Sequence, residues 1–164
     1  MLLSPDAAAL VDPLCRDALE RAEDGELGAD AAAIVRHLGA AGPSGADHVR
    51  SELALEAKAF RAAREKLERE GAVVSRTQPI PGEVEGHRSA STIARWDRSH
   101  SQRRKAPVAV ALDELVLLGI RAAVVVQEDE PGTWFTWAIP RDTIRRLLET
   151  RKLVRPAAGW VAAS

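Results

Sequence analysis

The periodicity of the chain changes at Gly71, and no other feature constrains the fold more. Before it, three stretches carry apolar residues at helical spacing. Ile34, Val35, Leu38 and Ala41 form one stripe, Ala46, Val49 and Leu53 a second, and Phe60, Ala63 and Leu67 a third. After it, Ala72–Thr77 and Ser91–Trp96 read as strands rich in β-branched residues, separated by an irregular tip from Pro79 to Ser89. The punctuation agrees. Asp30 is placed as an N-cap, and Gly42-Pro43 as a stop. Ser44-Gly45-Ala46-Asp47 matches a capping box, and Leu53-Ala54-Leu55 supplies a turn. The third helix is expected over 56–70, with Gly71 as its C′ residue.

Three helices followed by a strand, a wing and a returning strand is the order of a winged helix-turn-helix, here over Ala31–Asp97. Such a unit usually lays its third helix in the major groove of DNA and its hairpin against the backbone. A fainter copy follows. Leu112, Leu115, Val116, Gly119, Ile120 and Ala123 make an amphipathic helix after Pro107. Glu128–Phe135 is a degraded second helix, Pro140 opens a third that runs to about Arg151, and 153–162 forms a hairpin. The expected fold is therefore mainly α with small β-hairpins (α+β), arranged as two tandem winged-helix domains. The expected boundaries are a helical extension at 1–28, started by Asp12-Pro13, a first winged helix at 29–99, a basic linker at 100–106 and a second, degenerate winged helix at 107–164.

Charge is distributed unevenly. Residues 1–48 carry 3 basic and 9 acidic side chains, residues 49–105 carry 13 and 8, and residues 106–164 carry 7 of each. The positive excess thus gathers on the third helix, the hairpin and the linker, which points to an anionic partner. On the third helix, Lys58, Arg61, Glu65 and Arg69 lie opposite the apolar stripe, flanked by Arg64. Arg side chains suit guanine or phosphate, and Glu65 can accept from cytosine or pair along its own helix. Arg76, Arg88, Arg95 and Arg98 add charge to the wing, and Arg103, Arg104 and Lys105 to the linker. Duplex DNA is the expected partner. The corresponding helix of the second unit balances Asp142 and Glu149 against Arg145 and Arg146, which suits packing or dimerisation. A second copy or another protein bound through that unit is the alternative.

The phrases Ala-Ile-Val-Arg-His-Leu-Gly-Ala-Ala-Gly-Pro (33–43) and Phe60–Val74 resemble bacterial winged helices. They most resemble the tandem winged-helix proteins related to DNA glycosylases that unhook interstrand crosslinks. The second unit, 115–126 and 141–160, is similar to a later winged helix of that group. The resemblance implies a role in DNA repair or transcriptional regulation. The glycosylases carry a catalytic Gln-x-Gln or Gln-x-Asp motif and are much longer. The only counterpart here is Gln127-Glu128-Asp129, at the end of an apolar helix, so catalysis is not carried over. Tandem winged helices also serve as dimerising partners in chromosome-organising complexes.

Other chemistry finds no foothold. His37, His48, His87 and His100 show no metal-ligand spacing, and no phosphate-binding glycine loop or nucleophile elbow is present. No enzyme activity, cofactor or metal is expected. The single cysteine, Cys15, has no internal disulfide partner and is expected to be buried. No apolar run approaches the ~20 residues that span a bilayer, and Met1–Asp6 lacks the character of a signal peptide. A cytoplasmic location is the expectation.

Overall fold

The computed structural model describes residues 5–79, 89–100 and 104–164. The fold is mixed α and β, with two three-stranded antiparallel sheets. The chain divides into two compact units, Leu14–Arg103, and Met1–Pro13 with Arg104–Ser164. The division falls within α1 (Pro5–Glu23). That helix begins at Pro5, so Asp12-Pro13 lies inside it rather than capping it. Asp12 is buried, and its carboxylate accepts the backbone N–H of Arg104 at 3.0 Å.

In the unit Leu14–Arg103, α2 (Ala29–Ala41) starts after Gly28 and so includes Asp30 in its first turn. It buries Ile34, Val35 and Leu38 completely, while Ala41 is exposed. Next come β1 (Ser44–Gly45), α3 (Ala46–Glu52), α4 (Ala57–Glu70), β2 (Val73–Pro79), β3 (Ser89–Arg95) and the short α5 (Trp96–Ser99). The core joins Ala18, Leu19 and Ala22 of α1 to Leu38, Val49, Phe60, Leu67, Val73 and Ile93. The second half of α1 is thus part of this core rather than an appendage. Burying each large aliphatic side chain contributes about 1.5–3 kcal/mol.

The Ser44–Asp47 pattern folds differently from a capping box. Ser44 and Gly45 pair with Ile93 and Thr92 of β3, giving the sheet order β1-β3-β2. The Ser44 hydroxyl donates to the Gly42 carbonyl at 3.0 Å, and Gly45 occupies the N-cap position without a side-chain bond. A strand far along the chain pairs with the backbone that local capping would otherwise serve. The turn Leu53-Ala54-Leu55 is as expected. Ala54 is left-handed at φ 50°, and the N–H of Leu55 donates to the Arg50 carbonyl at 3.1 Å.

The second unit repeats this order. It runs α6 (Val108–Ala123), β4 (Val125–Gln127), a 3-10 turn (Glu130–Thr133), α7 (Thr143–Glu149), β5 (Leu153–Ala157) and β6 (Trp160–Ala163). Its sheet order, β4-β6-β5, again places the last strand in the middle. α7 is shorter than expected because residues 140–143 form a turn, with the Thr143 N–H on the Pro140 carbonyl. Its core holds Val116, Ile120, Val126, Leu147, Leu153 and Val161, with Trp134 and Phe135 packed against it.

The two units also match at their helix ends. After α4, the N–H of Gly71 donates to Glu68 and that of Ala72 to Leu67; after α7, Arg151 donates to Leu148 and Lys152 to Leu147. Both are Schellman closures. Gly71 is left-handed at φ 84° and Arg151 at φ 56°. α2 and α6 end with Gly42 donating to Leu38 and Val124 donating to Ile120. Leu67 and Leu147, Ile93 and Val161, Leu38 and Ile120 therefore occupy corresponding core positions, all at most 2% exposed.

Candidate nucleic-acid interface

α3 and α4, joined by the 53–56 turn, enclose a groove of about 520 Å³ floored by Phe60. Its polar walls are Asp47 and Arg50 from α3 and Arg61, Arg64, Glu65 and Glu68 from α4. Phe60 and Leu67 anchor α4 in the core. The rotation of a 3.6-residue helix then turns Lys58, Arg61, Ala62, Glu65 and Arg69 to solvent, and all five are exposed.

The cations foreseen in the sequence separate into two groups. Arg64, Arg95 and Arg104 are internal struts. Arg64 donates to Glu68 at 2.6 Å and to the Ser91 hydroxyl at 2.8 Å, tying α4 to β3. Ser75 donates to the same Glu68 carboxylate. Arg95, only 14% exposed, bridges Asp97 and Glu23. Donating to the Asp97 carboxylate raises the Arg95 pKa, against the opposing effect of burial and with help from Glu23. Burial pushes the Asp97 carboxyl up, but Arg95 outweighs it, with Arg16 and Arg98 assisting, and holds it below the usual range. Arg104 pairs with Glu114 at 2.5 Å.

Lys58, Arg61 and Arg76 form the second group. All are exposed and have no ion-pair partner among the described residues. Arg76 sits opposite Thr92 in the β2–β3 ladder. Arg98 and Lys105 are exposed as well, Lys105 in the other unit. Arg88 and Arg103 lie outside the described residues, as do the wing tip and His87. Sequence reasoning missed Arg50, a further cation on the groove wall. Its signal was its place four residues before the Ala54 turn.

The remaining candidates have structural neighbours. His100 stacks on the buried Trp96 with ring centroids 3.7 Å apart. Cys15 is buried, as expected. Gln127 ends β4 opposite Trp160, and Glu128 is held by Arg155 at 2.5 Å. On α7, Arg146 bonds Asp113 of α6 and Asp142, both at 2.6 Å, and Arg145 lies 3.4 Å from Glu149. No cluster of three or more potential metal-ligating side chains occurs among the described residues. None of their helices is long and apolar enough to cross a membrane. Comparison with protein-family models, with curated proteins and with solved structures finds no match for this chain.

Proposed function

We propose that this chain is a duplex-DNA-binding protein without catalytic activity, built as two tandem winged-helix units. The first unit makes the contact. α4 enters the major groove, and the β2–β3 hairpin lies along the phosphate backbone. The observation that carries this reading is the segregation of charge on α4. Arg64 is spent inside the fold, while Lys58 and Arg61 stand on the exposed face with no ion-pair partner among the described residues. Lys58 and Arg61, exposed on a helix anchored by Phe60 and Leu67, suit phosphate and guanine. The bond from Arg64 to Ser91 of β3 adds support, since it holds the hairpin beside α4.

Arg50 and Arg76 extend the same cationic set, and Glu65 gives the face a means of base discrimination. The second unit has no such set on α7, whose arginines are paired, so it serves packing or assembly. Transcriptional regulation or DNA repair is the setting this chemistry suits. The test is a fluorescence-anisotropy titration of the full chain on a labelled duplex at two salt concentrations. Binding that weakens with salt and falls at least tenfold in Lys58→Ala/Arg61→Ala supports the assignment. Equal affinity for the variant and the parent removes it.

A further inference from the structure

The large hydrophobic side chains left exposed among the described residues all belong to the second unit: Val110, Leu118, Val124, Val125, Val154 and Trp160. Three of them share one face of its sheet. Strand alternation turns Val126, Leu153 and Val161 inward, each at most 2% exposed. It turns Val125, Val154, Trp160 and Ala162 outward. Val125 and Val154 both pair with Ala162, so β4, β6 and β5 contribute one continuous row, with Trp160 two residues along β6. Val125, Val154 and Trp160 are 41, 46 and 39% exposed. The corresponding ladder pair of the first sheet, Val74 and Ala94, is half-buried and buried. An open apolar sheet face beside a covered counterpart marks a docking surface.

The ends of this face identify the occupant. At the Leu153 end lie Arg151 and Lys152, both exposed. At the opposite end, past Gln127 and Trp160, lies the exposed Asp129, next to the Glu128–Arg155 pair whose charges cancel. The face is basic at one end, apolar in the middle and acidic at the other. A surface with that polarity is complementary to itself turned around. A two-fold axis lying in the contact plane, across the strands, brings the basic end of each copy over the acidic end of the other, as an isologous interface requires.

We infer that the outer face of the β4-β6-β5 sheet binds a second copy of this chain, with Trp160 and Val154 at the centre and Lys152 opposite the other copy's Asp129. This inference stands independently of DNA binding. It is tested by sedimentation velocity of the full chain over a hundredfold concentration range. The expected result is a reversible shift from the chain mass of 17.7 kDa towards twice that value. Val154→Asp should abolish the shift. Lys152→Asp and Asp129→Lys, both at exposed sites that leave the core intact, should each weaken the dimer at least tenfold, and their combination should restore it. A monomer at every concentration, a dimer indifferent to Val154→Asp in a folded protein, or a charge exchange without rescue would each overturn the proposal.

Discussion

The indole of Trp134 lies directly over Gly119 of α6. A Cβ at Gly119 would sit 2.7 Å from the ring atom Cζ3 and 2.8 Å from Cε3. Phe135 stands edge-on to the same indole, with centroids 6.3 Å apart. The glycine is therefore a socket for an aromatic side chain from the loop beyond the 3-10 turn. Helix propensity alone predicts that Gly119→Ala stabilises α6 by about 1 kcal/mol. Overpacking against a rigid ring costs about 1–3 kcal/mol and wins. Gly119→Ala should lower the urea midpoint, and Gly119→Ala in a Trp134→Leu background should not.

Among the described residues, three other than glycine hold positive φ: Ala54, Val124 and Arg151. Left-handed backbone costs an L-residue about 1–2 kcal/mol, and glycine avoids it at some entropic expense. Ala54→Gly and Arg151→Gly should each raise stability by about 0.5–1 kcal/mol. Val124, β-branched and 71% exposed, should gain about 1–2 kcal/mol as glycine. Thermal melts of the three variants check this, and a fall in melting temperature would contradict the assigned backbone.

The Arg95–Asp97 pair gives the first unit an acid limit. The Asp97 carboxyl has a folded pKa below its ordinary value of 3.8. A depressed carboxylate contributes stability above the unfolded pKa and loses it as pH falls through the folded one. The parent protein should therefore weaken progressively below about pH 4. Asp97→Asn should be less stable at pH 7 and show a shallower decline into acid. Urea midpoints at pH 7, 4 and 3 measure both effects.

Arg64 and Arg61 are three residues apart on α4, yet they should behave oppositely. Arg64→Ala removes the link to Glu68 and Ser91 and should lower stability with little loss of salt-dependent binding. Arg61→Ala should leave the melting temperature unchanged and reduce the slope of log affinity against log salt by about 1 if it contacts one phosphate. Paired melts and duplex titrations separate the two roles.

Much of this architecture was legible because helix and strand periods are local properties. The stripe Phe60, Ala63, Leu67 and the terminator Gly71 place α4 to within a residue. What escaped depends on distant partners. β1 exists because β3 lies beside Ser44. Asp12 reads as a cap, but becomes an internal acceptor through Arg104, 92 positions away. The candidate interface was legible only in part for the same reason. Composition counts Arg64 and Arg95 as cations, but Ser91, 27 positions from Arg64, and Glu23, 72 positions from Arg95, are brought to them only by the tertiary fold.

The repeated Schellman closures after Leu67 and Leu147 give the chain an internal standard. Two units of the same strand order share buried aliphatic positions and differ in their exposed charged and apolar side chains. What both retain is the minimum required to close this architecture. What only one carries, the exposed Lys58 and Arg61 of α4 or the apolar outer sheet of β4-β6-β5, is not required to close the fold. Each half is thus a reference for the other: a substitution at a shared buried position tests closure of the architecture, and one at an unshared surface position does not.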